Sequence, residues 1–190
     1  MTAPVRFGIL GAANIARQFT RGVAGSAVAT VAAVASRGAD KAAAFAAELA
    51  IPRHHASYEA LLADPAIDAI YIPLPNDLHC DWAIRCAEAG KHVLCEKPLA
   101  MDAGQARVMY DAARSHGVHL VEAYPYMSQP QTLRVRALLA EGTVGQIQLI
   151  TTPSASAWCR RTARRWATPG TSACCPSVAA AGCWMPAPMP

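Results

Sequence analysis

A turn of small residues near the start of the chain is the first feature that could do chemistry. The stretch "GILGAANIA" (8–16) has small residues at Gly11, Ala13 and Ala16, directly after an apolar run. Small residues let the backbone approach a phosphate, and a helix that begins near Asn14 would point free N–H groups at it. The pattern predicts a dinucleotide-binding turn; a turn that only packs a helix against a strand is the alternative. The predicted contacts are Gly11, Ala12, Ala13, Asn14 and Ile15.

A hydroxyl and two cations follow the next apolar run. Ser36 and Arg37 end that run, and Lys41 lies one helical turn further on. An NAD-binding fold would place an acidic residue here for the ribose hydroxyls, whereas a hydroxyl and a guanidinium suit the dianionic 2′-phosphate of NADP. These three residues therefore favour NADP over NAD as the cofactor. The alternative is that Arg37 and Lys41 are ordinary solvated charges.

Two later stretches, "PLPNDLHCDW" (73–82) and "LCEKPLA" (94–100), also follow apolar runs and carry polar side chains. Pro98 would fix the backbone after Lys97, and a lysine beside a cofactor can orient a substrate hydroxyl or help to move its proton. Lys97 is therefore the candidate catalytic residue, with an ordinary surface lysine as the alternative. The predicted cofactor contacts in these stretches are Leu74, Asn76, His79, Glu96 and Lys97.

The elements that must position these residues alternate between apolar strand-like runs and helical runs. Ser57 is the predicted N-cap of a short helix that ends before Pro65. Strands and helices in this order imply an α/β fold, a doubly wound parallel sheet that binds ligands outside the carboxyl ends of its strands. The predicted strands are 5–10, 27–36, 67–75, 91–96 and 118–123, and the longer helices are 14–25, 39–50, 77–89, 102–115 and 130–141.

Five motifs together carry a family resemblance. "FGILGAANIA", "ASR…K", "PLPNDLH", "CEKPLA" and "VEAYPYMSQPQ", in this order and spacing, resemble the N-terminal domain of the Gfo/Idh/MocA oxidoreductases. The branch they are most similar to is that of glucose–fructose oxidoreductase and dihydrodiol dehydrogenase. The resemblance covers residues 5 to about 152, and Glu96-Lys97-Pro98 is its most specific part.

The resemblance implies a Rossmann-type NAD(P)-binding domain over residues 1–123, then a linker helix and the first strand of a C-terminal α+β domain over 124–152. It implies an NAD(P)-dependent hydride transfer to or from a sugar, polyol or cyclic diol. Lys97 would contact the substrate and the nicotinamide ribose, Asn76 and His79 would belong to the cofactor-side loop, and Tyr124 would contact the substrate. Intact relatives are expected to form homo-oligomers.

The last part of the chain, residues 153–190, does not continue the resemblance. The family's Asp-x-Gly-x-His or Asp-x-Gly-x-Tyr motif is missing, and no acidic residue follows Glu141. Trp and Met have single codons, so the shifted frame across "CWMP" (183–186) can be read, and it spells Leu-Asp-Ala. We therefore expect a frame-shifted, disordered tail after about residue 152, and a truncated chain with impaired turnover.

Composition excludes several classes of protein. With 53% hydrophobic and 16% charged residues the chain is expected to be globular, and it has no apolar run long enough for a membrane span and no signal-peptide layout. We expect a cytoplasmic protein with a small-molecule substrate. The net charge of +4 comes from arginines of the tail, which argues against a nucleic-acid surface. No metal site is expected, because the cysteines lack ligand spacing; Cys80, Cys86 and Cys95 are predicted to be buried free thiols.

Two other classes of function stay open at this point. One is a non-catalytic NAD(P)-binding protein that regulates or binds a partner. The other is a methyltransferase that uses the small-residue turn for its adenosyl cofactor, but Ser36-Arg37 and Glu96-Lys97-Pro98 argue against it.

Overall fold

The computed structural model describes residues 3–149, which form six strands and six α-helices in alternation. Two 3₁₀ turns, Asn76–Leu78 and Pro125–Ser128, precede α4 and α6. The strands are β1 (Val5–Leu10), β2 (Ala29–Ala35), β3 (Arg53–His55), β4 (Ala69–Ile72), β5 (His92–Glu96) and β6 (Leu120–Ala123). The helices are α1 (Asn14–Val23), α2 (Ala39–Glu48), α3 (Tyr58–Leu62), α4 (His79–Glu88), α5 (Ala103–Ser115) and α6 (Pro130–Ala140).

The strands form one parallel sheet in the order β3-β2-β1-β4-β5-β6. Successive residues of a strand face opposite sides, so Ile9 packs in the cluster that includes α1 and α2, whereas Leu10 packs in the cluster that includes α3, α4 and α5. Helices therefore cover both faces, and the predicted doubly wound Rossmann-type sheet is confirmed. The strand order reverses between β1 and β4, which opens a crevice at their carboxyl ends.

Two helices begin at the residues that local chemistry dictates. The Ser57 hydroxyl accepts a hydrogen bond from the Ala60 N–H at 3.1 Å, and the Asp102 carboxylate accepts one from the Gln105 N–H at 2.9 Å. Such caps satisfy donors that the helix cannot pair, and each stabilises its helix by about 1 kcal/mol. The Ser57 cap was predicted, and it fixes where Tyr58 enters the fold.

The amino ends of the strands are held together by charged side chains. Arg6 donates to the Asp68 carboxylate through Nε at 2.8 Å and through Nη2 at 2.6 Å, and these bonds lower the Asp68 pKa to about 2. Lys91 Nζ donates to the carbonyl oxygens of Asp64 and Ile67, both at 2.8 Å. This end of the sheet is thus closed by pairs within the protein.

Two parts of the sequence-based prediction need correction. Strand β3 was not predicted, because "RHH" (53–55) carries no apolar alternation; the strand forms by pairing with Ala33–Ala35 of β2. A strand was expected in 142–152, but 142–149 form turns and irregular backbone, and 150–152 lie outside the described residues. A strand exists only through its pairing, and the hydrogen bonds here are turn bonds, such as that from the Gly145 N–H to the Gly142 carbonyl.

Three further expectations concern the cysteines, membrane-spanning helices and the tail of the chain. Cys86 and Cys95 are buried free thiols, as predicted, whereas Cys80 is a free thiol that is only half-buried. Over residues 3–149, no helix is long and apolar enough to cross a bilayer. The predicted frame-shifted tail, 153–190, lies outside the described residues.

Candidate cofactor-binding and active site

The turn after β1 leaves an open cradle at Gly11. Its φ of +106° is a conformation that side-chain-bearing residues rarely adopt, and its N–H donates to the Ala35 carbonyl at 2.8 Å. A Cβ at this position would lie 3.1 Å from Leu74 Cδ2 and 3.5 Å from the Tyr58 hydroxyl. The missing side chain thus keeps the space between β1, Leu74 and Tyr58 open.

The start of α1 is available to an anion. Ala13 precedes it in an extended conformation, and no side chain caps the helix or places an acid in its first turn. The Asn14 side chain is turned away, since its Oδ1 accepts from Arg17 Nη1 at 3.0 Å. The first N–H groups, near the exposed Asn14 and Ile15, therefore combine free donors with the positive end of the helix dipole, which is how helices bind phosphates.

Two unpaired cations lie beyond the end of β2. Arg37 and Lys41 are exposed, and neither forms an ion pair with any residue in 3–149. Lys41 is in the first turn of α2, where a cation opposes the helix dipole, so it does not serve that helix. Ser36, only 5% exposed, precedes them on the strand end. This arrangement fits a doubly charged anion such as a ribose phosphate.

The loop after β5, residues 96–99, is braced by side chains from three directions; we call it the braced loop. The Lys97 N–H donates to Glu96 Oε2 at 3.2 Å, and the Leu99 N–H donates to Glu122 Oε1 at 2.9 Å. His79 Nδ1 lies 2.9 Å from the Pro98 carbonyl oxygen. Backbone groups of three consecutive residues are thus tied to side chains, one within the loop and two from α4 and β6, which fixes the course of the loop.

Tyr71 anchors the carboxylate of Glu96. Its hydroxyl donates to Glu96 Oε1 at 2.7 Å, and its ring stacks on Phe19 with centroids 4.2 Å apart. Burial and the neighbouring Glu96 carboxylate raise the pKa of Tyr71 well above its ordinary value, so the phenol remains a donor at neutral pH. Sequence reasoning missed this residue, although a tyrosine inside a buried strand run is itself a signal that its hydroxyl needs a partner.

The Lys97 side chain is exposed and forms no ion pair within residues 3–149. A rigid backbone therefore presents a free ammonium group at the carboxyl end of the sheet. Such a group can donate a hydrogen bond to a substrate oxygen or exchange a proton with it.

His79 lies in the stretch after β4 where the sequence placed it, but its side chain is buried. Its side chain has no exposed surface, and while Nδ1 faces Pro98, Nε2 lies 2.9 Å from the Leu74 carbonyl oxygen. The buried ring thus links the loop after β4 to the braced loop. In this arrangement it has no surface with which to touch a cofactor, and the predicted contact would have to be indirect.

The remaining predicted residues lie around the same edge. Leu74 is half-buried beside Gly11, Asn76 is exposed in the 3₁₀ turn after β4, and Tyr124 is 50% exposed directly after β6. The carboxyl ends of parallel strands meet at one edge of a sheet, so the structure brings the predicted residues of β1, β2, β4, β5 and β6 together there. A phosphate cradle, two free cations and a braced lysine share this edge.

Comparison with known proteins agrees with this geometry. The family model described as an oxidoreductase family with an NAD-binding Rossmann fold, GFO_IDH_MocA, matches residues 5–124. D-xylose 1-dehydrogenase (NADP(+)) 2 of Haloferax volcanii is 46% identical over 134 residues, which cover 70% of this chain and 41% of that protein. Trans-1,2-dihydrobenzene-1,2-diol dehydrogenase of Xenopus tropicalis is 40% identical over 120 residues, 63% of this chain and 36% of that protein.

A solved structure is similar in both fold and sequence. KijD10, a 3-ketoreductase from Actinomadura kijaniata in complex with NADP, matches with a TM-score of 0.70 and 38% identity, over 76% of this chain and 46% of the other. The chain thus spans less than half the length of each of these three relatives. Together with the strand order and the turn at Gly11, the match over residues 5–124 shows that the chain belongs to the Gfo/Idh/MocA family of oxidoreductases.

Proposed function

We propose that this chain carries the NADP(H)-binding part of an oxidoreductase that transfers a hydride to or from a sugar, a polyol or a cyclic diol. The observation that carries the proposal is the presence of an anion cradle, two free cations and the braced Lys97 at one edge of the sheet. Relatives whose names state xylose and dihydrodiol dehydrogenation support the class of substrate.

The residues present fit a dinucleotide phosphate. The turn of Gly11, Ala12 and Ala13 with the start of α1 at Asn14 and Ile15 would hold the pyrophosphate. Ser36, Arg37 and Lys41 would hold the 2′-phosphate, because a guanidinium and an ammonium favour a dianion over a ribose hydroxyl. Leu74 and Asn76 would flank the dinucleotide across the crevice. The nicotinamide, when bound, supplies or accepts the hydride.

In this proposal Lys97 is the catalytic residue. Its ammonium group would donate a hydrogen bond to the reacting oxygen of the substrate and take part in moving that oxygen's proton. Glu96, held by Tyr71, would keep the lysine backbone in place rather than react. Tyr124, half exposed after β6, would contact the substrate. Residues 1–123 would form the cofactor domain, and 124–152 would lead into a second domain.

Binding and hydride transfer are tested separately. Fluorescence titration should show NADPH binding at least about tenfold tighter than NADH, since two unpaired cations face the 2′-phosphate. Hydride transfer is then followed at the absorbance of NADPH with D-xylose and trans-1,2-dihydrobenzene-1,2-diol, for the wild-type chain and for Lys97→Ala. A chain that binds neither cofactor would refute the proposal.

Two further outcomes bear on the role of Lys97 and on the non-catalytic alternative. Turnover that Lys97→Ala leaves intact would refute the catalytic role of Lys97 alone. Tight NADPH binding without transfer to any diol or sugar would fit both the impaired turnover expected of this chain and the non-catalytic, regulatory alternative.

We further propose that residues 153–190 are encoded out of frame. The support is the abrupt loss of acidic residues after Glu141 and the Leu-Asp-Ala that the shifted frame spells across residues 183–186. Reading the nucleotide sequence over codons 150–190 in three frames tests whether these residues are encoded out of frame. A shifted frame that shows no continuation of the family's Asp motif would contradict it.

A further inference from the structure

The Tyr58 side chain extends from the hydrophobic core to the open cradle at Gly11. It is the first residue of α3, fixed there by the Ser57 cap, and it is only 8% exposed. Its ring packs edge-on against Trp82 of α4, with centroids 4.9 Å apart and planes at 89°. The ring therefore belongs to the core, and its orientation is set by packing rather than by its hydroxyl.

The Tyr58 hydroxyl has no hydrogen-bond partner among the described residues. Among residues 3–149, nothing donates a hydrogen bond to it or accepts one from it, and none of the fully buried side-chain polar atoms lacks a partner. The hydroxyl therefore reaches accessible space. An unpaired hydroxyl on a ring this deeply buried adds nothing to packing that phenylalanine would not supply.

The space it reaches is the cradle at Gly11. The hydroxyl would lie 3.5 Å from a Cβ at Gly11, on the edge where β1 and β2 end. Burial raises the pKa of Tyr58, while the positive charge of Arg37 opposes that rise, which places the phenol near the cation that follows β2. The protonated phenol is thus a free donor between the phosphate cradle and the residues suited to a 2′-phosphate.

We propose that the Tyr58 hydroxyl contacts the adenosine half of the dinucleotide, donating a hydrogen bond to an oxygen of the adenosine ribose or of its 2′-phosphate. This inference rests on the proposed NADP binding and adds to it a residue that is neither in the small-residue turn nor at the end of β2. It also gives α3, a helix of five residues, a role at the site. The Ser57 cap would then position a ligand contact as well as start a helix.

Tyr58→Phe tests the proposal without disturbing the core, because it removes only the unpaired hydroxyl. We expect NADPH and 2′,5′-ADP to bind about five- to tenfold more weakly, the loss typical of one hydrogen bond to a charged or polar ligand oxygen. The unfolding midpoint of the free protein should not change. Tyr110→Phe is the matched control, since the Tyr110 side chain is exposed on α5 and takes part in no hydrogen bond or ring contact within residues 3–149.

The outcomes separate this inference from the proposed function. If the wild-type chain binds neither NADPH nor 2′,5′-ADP, the proposed function fails first. If the wild type binds both and Tyr58→Phe binds them equally well, the inference alone is overturned. A loss for NADPH without a loss for 2′,5′-ADP would overturn the assignment to the adenosine half, and a lowered unfolding midpoint would show that the hydroxyl serves the fold instead.

Discussion

The braced loop and the rim formed by Gly11, Ser36, Arg37 and Lys41 lie at the same edge of the sheet but differ in where their hydrogen bonds go. In the braced loop, the N–H groups of Lys97 and Leu99 donate to carboxylates of the protein, and the Pro98 carbonyl faces His79. At the rim, the cations are unpaired and the start of α1 has no cap within residues 3–149.

This difference separates groups that shape the site from groups left for a ligand. A polar group paired inside the protein contributes to folding, and losing its partner leaves a buried donor or acceptor unsatisfied. An unpaired surface cation contributes little to folding but can bind an anion at no cost in broken bonds. Substitutions beneath the braced loop should therefore lower stability, whereas substitutions at the rim should lower cofactor affinity.

The largest effect is expected for His79→Leu. Leucine has a similar volume but no ring nitrogen, so the Leu74 and Pro98 carbonyl oxygens lose the 2.9 Å polar contacts that the fully buried imidazole makes with them. We expect the free energy of unfolding to fall by about 2 to 3 kcal/mol. Urea denaturation followed by circular dichroism measures it.

The control for that substitution is His54→Leu, because His54 lies exposed on β3 and takes part in none of the contacts described for the site. It should change the unfolding free energy by less than about 0.5 kcal/mol. Equal losses of unfolding free energy for His79→Leu and His54→Leu would contradict the distinction between a buried bracing side chain and an exposed one.

Arg37→Ala should show the opposite behaviour. Removing one unpaired cation is expected to weaken NADPH binding about tenfold and to leave NADH binding unchanged, because only NADPH carries the 2′-phosphate. The unfolding free energy should stay within about 0.5 kcal/mol of the wild type. Arg107→Ala, an exposed arginine on α5, is the control, and titrations of both cofactors decide. An equal loss of NADH affinity would mean that Arg37 does not contact the 2′-phosphate.

The rim could be predicted from the sequence because its residues act through their own chemistry. Gly11 is needed for a positive φ, and a cation at the end of β2 suits an anion, and both follow from residue type and strand position alone. Alternating apolar runs likewise predicted five of the six strands, since burial on both faces leaves a clear pattern in sequence.

The hydrogen bonds that hold Glu96 and the braced loop could not be predicted in the same way, because they join residues that are far apart in the sequence. Tyr71 and Glu96 are 25 positions apart, and Leu99 and Glu122 are 23 apart. Only the pairing of β4 with β5 and of β5 with β6 brings them together. Strand β3 was missed for a related reason: its three polar residues become a strand through the edge of β2, not through their own pattern.

The smallest effect is expected for Asp68→Asn. This carboxylate is paired with Arg6 at the amino ends of the strands, whereas the candidate site lies at their carboxyl ends. The Asp68 pKa is lowered from its ordinary 3.8 to about 2, first by the hydrogen bond from Arg6. A carboxylate with a depressed pKa stabilises the fold above its unfolded pKa, and that contribution disappears as the pH falls from about 4 to about 2. Because the Asp68 side chain is 36% exposed, solvent screens its pairing with Arg6, and the contribution is at most about 1 kcal/mol.

The wild-type chain should therefore exceed Asp68→Asn in unfolding free energy at pH 6, and the gap should close as the pH approaches about 2. Urea denaturation across this range measures the gap, and NADPH titration at pH 7 should give equal affinities for both proteins. A gap that persists at the lowest pH would show that the carboxylate stabilises through something other than its charge. A loss of NADPH affinity would show that the two ends of the sheet are coupled, which the local bonds of Arg6 with Asp68 and of Lys91 with the Asp64 carbonyl give no physical reason to expect.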